Sequence, residues 1–242
     1  MKYKTLLAAI ALVLTISISS RQIVKAAPAT TSPNIRGTVK FEGTVPKAKP
    51  ISMAADPTCA KQHPGLISTP EVVTDSKGDL QDVLVFISDG LGDRTFDPPA
   101  QPVVITQKGC LYQPHVLAVQ ANQPIEVVND DQTMHNIHPT PTNNREWNKA
   151  ELPGAKQEEA FAREEIAIPV RCNIHPWMRG YIAVLKNPYF AVTKPDGTFD
   201  LPNLPPGTYT IKAWHEKLGT STQTITVDAN QTKEINFVFK SM

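Results

Sequence analysis

The sequence predicts an all-β chain organised as β-sandwiches, and three observations predict it. Short apolar or alternating runs recur between turn residues along most of the chain. Proline accounts for 22 of the 242 residues, nearly twice the usual share of about 5 per cent. Only one stretch has helical composition. Many short strands at near-regular spacing, each burying alternate side chains, are the pattern of sandwiches.

The chain opens on a stretch that must be set apart before the fold is read. Lys2 and Lys4 precede an apolar run from Leu6 to Ile18, and Val24, Lys25 and Ala26 place small residues where a signal peptidase reads them. Residues 1–26 are expected to be a signal peptide, cleaved after Ala26 or Ala27, with 27–34 a linker. The run is shorter than the roughly 18 residues a spanning helix needs, and no later segment reaches that length. The mature chain is therefore expected to be exported to the periplasm, or to an extracellular or cell-envelope location, with no transmembrane span. Lys2, Lys4, Arg21 and Lys25 leave with the leader, so 20 basic residues face 23 acidic ones. That balance carries no footprint for nucleic acid, whose binders concentrate Lys and Arg on one face.

The expected strands follow in order as IRGTVKF (35–41), DVLVFI (82–87), PVVIT (102–106), HVLAVQ (115–120), PIEVVN (124–129), IAIPV (166–170), YIAVL (181–185), YFAVT (189–193), GTYTIKAW (207–214), TQTITV (222–227) and EINFVF (234–239). Between YFAVT and TFDL, Pro195, Asp196 and Gly197 mark a hairpin. The segment GAKQEEAFAREEI (154–166) is rich in helix formers; a helix and a solvated loop leading into a strand both remain open there. Its acidic residues Glu158, Glu159, Glu164 and Glu165 read as a solvated face.

Three cysteines in an exported chain are an odd number, so one differs from the others. Cys59 and Cys110 lie in polar, turn-rich surroundings, and an oxidising compartment favours joining them in a disulfide. Cys172 lies in CNIHPWMRGY (172–181), where a thiol, an imidazole and a thioether recur three residues apart as Cys172, His175 and Met178. His135, 37 residues upstream in NDDQTMHNIHP, completes the two-imidazole, one-thiolate, weak-thioether set that suits one-electron copper chemistry. Asn136 beside it can tie the two ligand-bearing loops and hydrogen-bond toward the sulfur. His138 is the competing first ligand, and His135 is preferred because it directly follows the loop. His63, His115 and His215 are lone histidines.

Cys-x-x-His-x-x-Met, with its His-Pro and Met-Arg-Gly, preceded by His-Asn-x-His, resembles amicyanin and the plastocyanin-like cupredoxins over about 90 residues. The resemblance implies a Greek-key β-sandwich holding one type 1 copper on His135, Cys172, His175 and axial Met178. It also implies single-electron transfer with a redox partner protein, through the exposed edge of His175 flanked by Pro176 and Trp177. From about 187, the pattern resembles the carboxypeptidase regulatory-like domain, a small transthyretin-like sandwich. Gly37, Thr38, Val39 and the run 82–87 resemble its opening strands, separated from the rest. Insertion accounts for this: 35–97 and 187–242 would form the transthyretin-like sandwich and 98–186 the cupredoxin one, with a consecutive arrangement as the alternative. The expected function is an exported blue copper protein, not an enzyme; six histidines leave no convincing set for a further copper centre. The competing reading is an envelope interaction or carbohydrate-binding-like module with structural or sensory copper.

Overall fold

The computed structural model describes residues 33–241 except 64, 66, 69 and 70. The expected leader and most of the linker lie outside the described residues. Among the described residues no helix is long and apolar enough to cross a membrane.

The elements follow in order as β1 (Asn34–Glu42), β2 (Pro50–Ile51), α1 (Pro57–Gln62), β3 (Ile67–Ser68), β4 (Leu84–Asp89), β5 (Val103–Gln107), β6 (Tyr112–Gln113), β7 (Val116–Gln120), β8 (Ile125–Asn129), β9 (His135–Pro139) and β10 (Lys149–Glu151). After them come β11 (Lys156–Glu159), β12 (Glu165–Arg171), β13 (Arg179–Leu185), β14 (Phe190–Val192), β15 (Thr198–Leu201), β16 (Gly207–His215), β17 (Gly219–Val227), β18 (Thr232–Glu234) and β19 (Phe237–Lys240).

Two sheets, β10-β9-β12-β13-β7 and β11-β8-β5-β6, face each other across a core that includes Ile105, Val119, Ile125, Val127, Ile137, Phe161, Ile168 and Ile182. Two others, β15-β1-β18 with β19 also on β1, and β14-β4-β16-β17, enclose a second core containing Ile35, Val39, Val85, Leu201, Tyr209, Ile211 and Phe237. Strand β16 shows the alternation that builds it, with Tyr209, Ile211 and Ala213 buried, Thr208 exposed, and Thr210, Lys212 and Trp214 half-buried. Strand β1 runs parallel to both β18 and β19. Gly37 permits this close approach, since a Cβ there would lie 1.7 Å from the Ile235 carbonyl oxygen.

Strand β4 is buried on both faces, which accounts for its unbroken apolar run. Val83, Val85 and Ile87 enter the second core. Leu84 and Phe86 point the other way, onto Ala183 and Leu185 of β13, where Trp214 also packs. His115 Nε2 and Glu216 Oε1 join 2.6 Å apart beside this contact.

The arm from 50 to 68 was not anticipated in this form. Pro57 starts α1, and Asp56 caps it by accepting from the backbone N–H groups of Thr58 at 2.7 Å and Cys59 at 3.2 Å. Cys59 is joined to Cys110 in a disulfide. Ile51, Met53, Ala60 and Ile67 pack into the first core, so the arm is part of that sandwich's wall.

Over 154–166 the helix alternative gives way to extended chain. Lys156 to Glu159 pair with Val128 to Ile125 of β8, and the sheet's hydrogen bonds outweigh local helix preference. Glu158 is exposed, as a solvated face requires, but Glu165 is buried. A bulge between Glu165 and Ile168, with Ala167 at φ 64°, buries both residues. The Glu165 carboxylate accepts from Thr142 N and Oγ1, Asn143 N, and Asn144 N and Nδ2. One member of the expected acidic face is therefore the anchor of the 142–144 loop.

Candidate metal centre

Strand β12 ends at Arg171 and β13 begins at Arg179, paired directly opposite each other. The seven residues between must turn within one hairpin. Cys172 N donates to the Met178 carbonyl at 3.2 Å, and Met178 N to the His175 carbonyl at 2.9 Å. His175 N donates back to Cys172 Sγ at 3.4 Å. This winding turns all three donor side chains inward. Cys172 and His175 are each 2% exposed, and Met178 is fully buried. His135, at the start of β9, is fully buried as well.

His135 Nδ1 and His175 Nδ1 stand 2.9 Å apart, and His175 Nδ1 lies 3.8 Å from Cys172 Sγ. The donor atoms of His135, Cys172 and His175 all lie within 4.8 Å of one another. Two other groupings, Asp56 with Cys59 and His175, and Cys110 with Asp131 and His135, each count a sulfur already taken by the disulfide. The surviving cluster has two nitrogens and one free thiol sulfur, with Met178 buried on the same loop. That chemistry fits a soft or borderline transition metal and copper above all.

The thiol is prepared for ionisation. Burial alone would raise its pKa, but hydrogen bonds from His135 and from the backbone at Asn136, His175 and Ile174 bring it below the ordinary value. Asn136 Oδ1 accepts from Cys172 Sγ at 3.3 Å and from Asn173 N at 2.7 Å, so this side chain joins the two ligand-bearing segments. Tyr112 OH donates to the Asn136 carbonyl from below. His138 is excluded from the cluster, because Asn173 Oδ1 and Glu146 Oε1 hold its two ring nitrogens. His63 and His115 are held apart, by the Gly109 carbonyl and by Glu216.

Two carboxylates that sequence reading missed hold the outer nitrogens. Asp131 Oδ2 lies 2.9 Å from His135 Nε2, and Asp56 Oδ2 lies 3.0 Å from His175 Nε2. Asp131 also accepts from Gly109 N and Cys110 N. Each carboxylate thus binds one histidine and the backbone N–H of one disulfide cysteine. Burial opposes charge on His135, yet Asp131 and Cys172 raise its pKa to about 9. Burial lowers the pKa of His175 and Asp56 counteracts it only partly. Asp56 itself, despite burial, is held down at about 2 by His175, Thr133 and its helix N–H groups. Such partners orient a ligand's ring and fix its tautomer. Neither aspartate was singled out in the sequence, where nothing beside it announces a bond to histidine.

The expectation that His175 forms an exposed edge is corrected. The arm carrying Asp56 covers its Nε2 side. Trp177, whose Nε1 donates to the Cys110 carbonyl at 3.1 Å, packs 5.0 Å from the His175 ring. Pro176 is exposed and Trp177 half-buried.

A carboxypeptidase regulatory-like domain model matches residues 182–240. No curated protein matches the chain. Among solved structures, a copper-containing nitrite reductase from Thermus scotoductus is 21% identical, with 40% of this chain and 25% of that one covered and a TM-score of 0.34. A purple cupredoxin from Nitrosopumilus maritimus is 23% identical, with 34% and 99% covered and a TM-score of 0.30. The copper(I) form of an amicyanin mutant is 17% identical, with 42% and 98% covered and a TM-score of 0.32. The match spans about a quarter of the nitrite reductase chain. The sheet order makes this an all-β chain of two packed sandwiches, and the carboxypeptidase regulatory-like match falls mainly on strands of the second.

Proposed function

We propose that this chain is an exported copper protein that passes single electrons to and from a redox partner, with no substrate turnover of its own. The observation that carries the reading is the buried cluster of His135, Cys172 and His175, whose nitrogen and sulfur atoms converge within 4.8 Å. These three would hold the metal, with Met178 as the weak fourth ligand. Bound there, copper supplies one-electron redox chemistry. The chain's own part is to hold the donors before metal arrives. The hairpin bonds of 172–178 fix three of them, Asn136 ties that loop to β9, and Asp131 and Asp56 keep the Nδ1 atoms turned inward. Burial keeps water from the sulfur and limits rearrangement between oxidation states.

Protein loaded with copper(II) should show an intense thiolate-to-copper band in the visible spectrum together with a matching paramagnetic resonance signal. Cys172→Ser should abolish the band. Colourless wild-type protein, or a band that survives the substitution, sinks the reading. Export is tested separately, by finding a mature N-terminus just after Ala26 or Ala27 in protein recovered from outside the cytoplasm.

A further inference from the structure

The closed edge of His175 leaves the entry of an electron to be placed, and the flank of the loop beside the ends of β12 and β13 offers a built surface. A groove of about 410 Å³ runs beside the hairpin, lined by Thr140, Arg171, Cys172, Asn173, Arg179 and Tyr181 among others. Cys172 forms part of its wall. Arg171 and Arg179 are both exposed and sit directly opposite each other across β12 and β13. Like charges placed in that way are destabilising. Among the described residues neither guanidinium takes part in an ion pair. Neighbouring carboxylates are already engaged, Glu146 on His138 and Glu216 on His115. Arg179 Nε is steadied by the Pro176 carbonyl at 3.2 Å. The Nε2 side of His175, by contrast, is covered by the arm that carries Asp56.

We propose that the redox partner docks on the Cys172 side, presenting carboxylates to Arg171 and Arg179, and not at the edge of His175. The electron's passage rests on the copper reading above; the anion-receiving face does not. A partner carboxylate between the two guanidiniums would relieve their repulsion and form charge-assisted hydrogen bonds. It would also bring the partner against the hairpin whose loop carries the sulfur.

Two measurements decide it. Hexacyanochromate(III), a paramagnetic and redox-inert trianion, is titrated into metal-free wild-type protein and followed by amide nuclear magnetic resonance. Broadening should centre on 171–173 and 179–181. Broadening centred on 174–177 and 133–135, or far from the hairpin, overturns the proposal. In the second measurement, hexacyanoferrate(II) gives one electron to the copper(II) protein and becomes hexacyanoferrate(III). At low ionic strength the double variant Arg171→Glu/Arg179→Glu should react about tenfold more slowly than Lys194→Glu/Lys240→Glu, which changes the net charge equally elsewhere. Equal slowing of the two variants refutes a local site. Slowing by Ile174→Glu, with the arginine pair matching its control, places docking at the His175 loop instead. If the chain takes up no copper, the function proposed above falls, while the hexacyanochromate map still decides the docking face.

Discussion

The disulfide offers the sharpest quantitative prediction, because it closes a long loop and holds both carboxylate-bearing turns. Replacing both partners, Cys59→Ala with Cys110→Ala, frees a loop of sequence separation 51. The chain-entropy relation assigns a loop of that size about 4 kcal/mol at 25 °C. For a chain of this length, each kcal/mol shifts Tm by about 2–4 °C, so the variant should melt about 8–16 °C lower. Urea unfolding of the metal-free protein gives the free energy, and scanning calorimetry gives Tm. A local effect should accompany the global one. The cross-link holds α1 against Gly109 and Cys110, and through α1 it keeps Asp56 on His175 Nε2. Loosening it should raise the rate at which diethylpyrocarbonate modifies His175 several-fold below the unfolding transition. A stability loss under about 1 kcal/mol with unchanged His175 reactivity would refute the reasoning. It would show that the arm is held by the packing of Met53, Ala60 and Ile67 and by the Asp56 bond, without need of the cross-link.

Gly37→Ala forces a methyl onto the Ile235 carbonyl, which cannot retreat without breaking the Ile235 N to Arg36 O bond of 3.0 Å. A loss of about 2 kcal/mol or more in urea unfolding is expected. Glu165→Gln keeps the shape but meets N–H donors with an amide, costing about 2–4 kcal/mol at pH 7. Burial would raise the Glu165 carboxyl, but the bonds from Thr142, Asn144 and Asn143 hold it below its ordinary value. Its contribution is therefore complete above the unfolded value of about 4.3 and disappears as pH falls through the folded one. The gap between wild type and variant should be constant near neutrality and close under acid, as read from unfolding at a series of pH values. Trp214→Ala removes the contact with Tyr181, at a centroid distance of 5.4 Å, and uncovers Leu84 and Leu185. It should cost about 3 kcal/mol and widen the separation between the calorimetric transitions of the two sandwiches relative to wild type.

Most of the site legible in the sequence lies on one loop, and His135 with Asn136 was reached from a second segment by the donor set that loop left incomplete. Cys172, His175 and Met178 occupy one loop, so their spacing already described the hairpin. The Cys59 to Cys110 pairing was readable from an expected export and an odd cysteine count. Asp56 and Asp131 were not readable, because a capping aspartate before Pro57 and a turn aspartate after Asn129 have ordinary local explanations. Their bonds to His175 and His135 exist only once the arm is docked. The same limit applied to 154–166, where helical composition was overridden by pairing of Lys156–Glu159 with β8. Glu165 looked like one solvated acid among four until a bulge turned it inward. The exposed edge expected of His175 failed for the same reason as the missed carboxylates, since the covering segment lies over a hundred residues away in sequence.

The parallel pairing of β1 with β19 gives the molecule a mechanical direction. Tension applied at the start of β1 and the end of β19 pulls the two strands past each other along their length. Val39 to Glu42 and Phe237 to Lys240 would bear that load together, with their evenly spaced bonds strained in shear and not peeled one at a time. Strands β5 to β13, which build the first sandwich and include the candidate donors, lie between β1 and β19 along the chain. A pull on the chain ends reaches the donor cluster only after the clasp has given way.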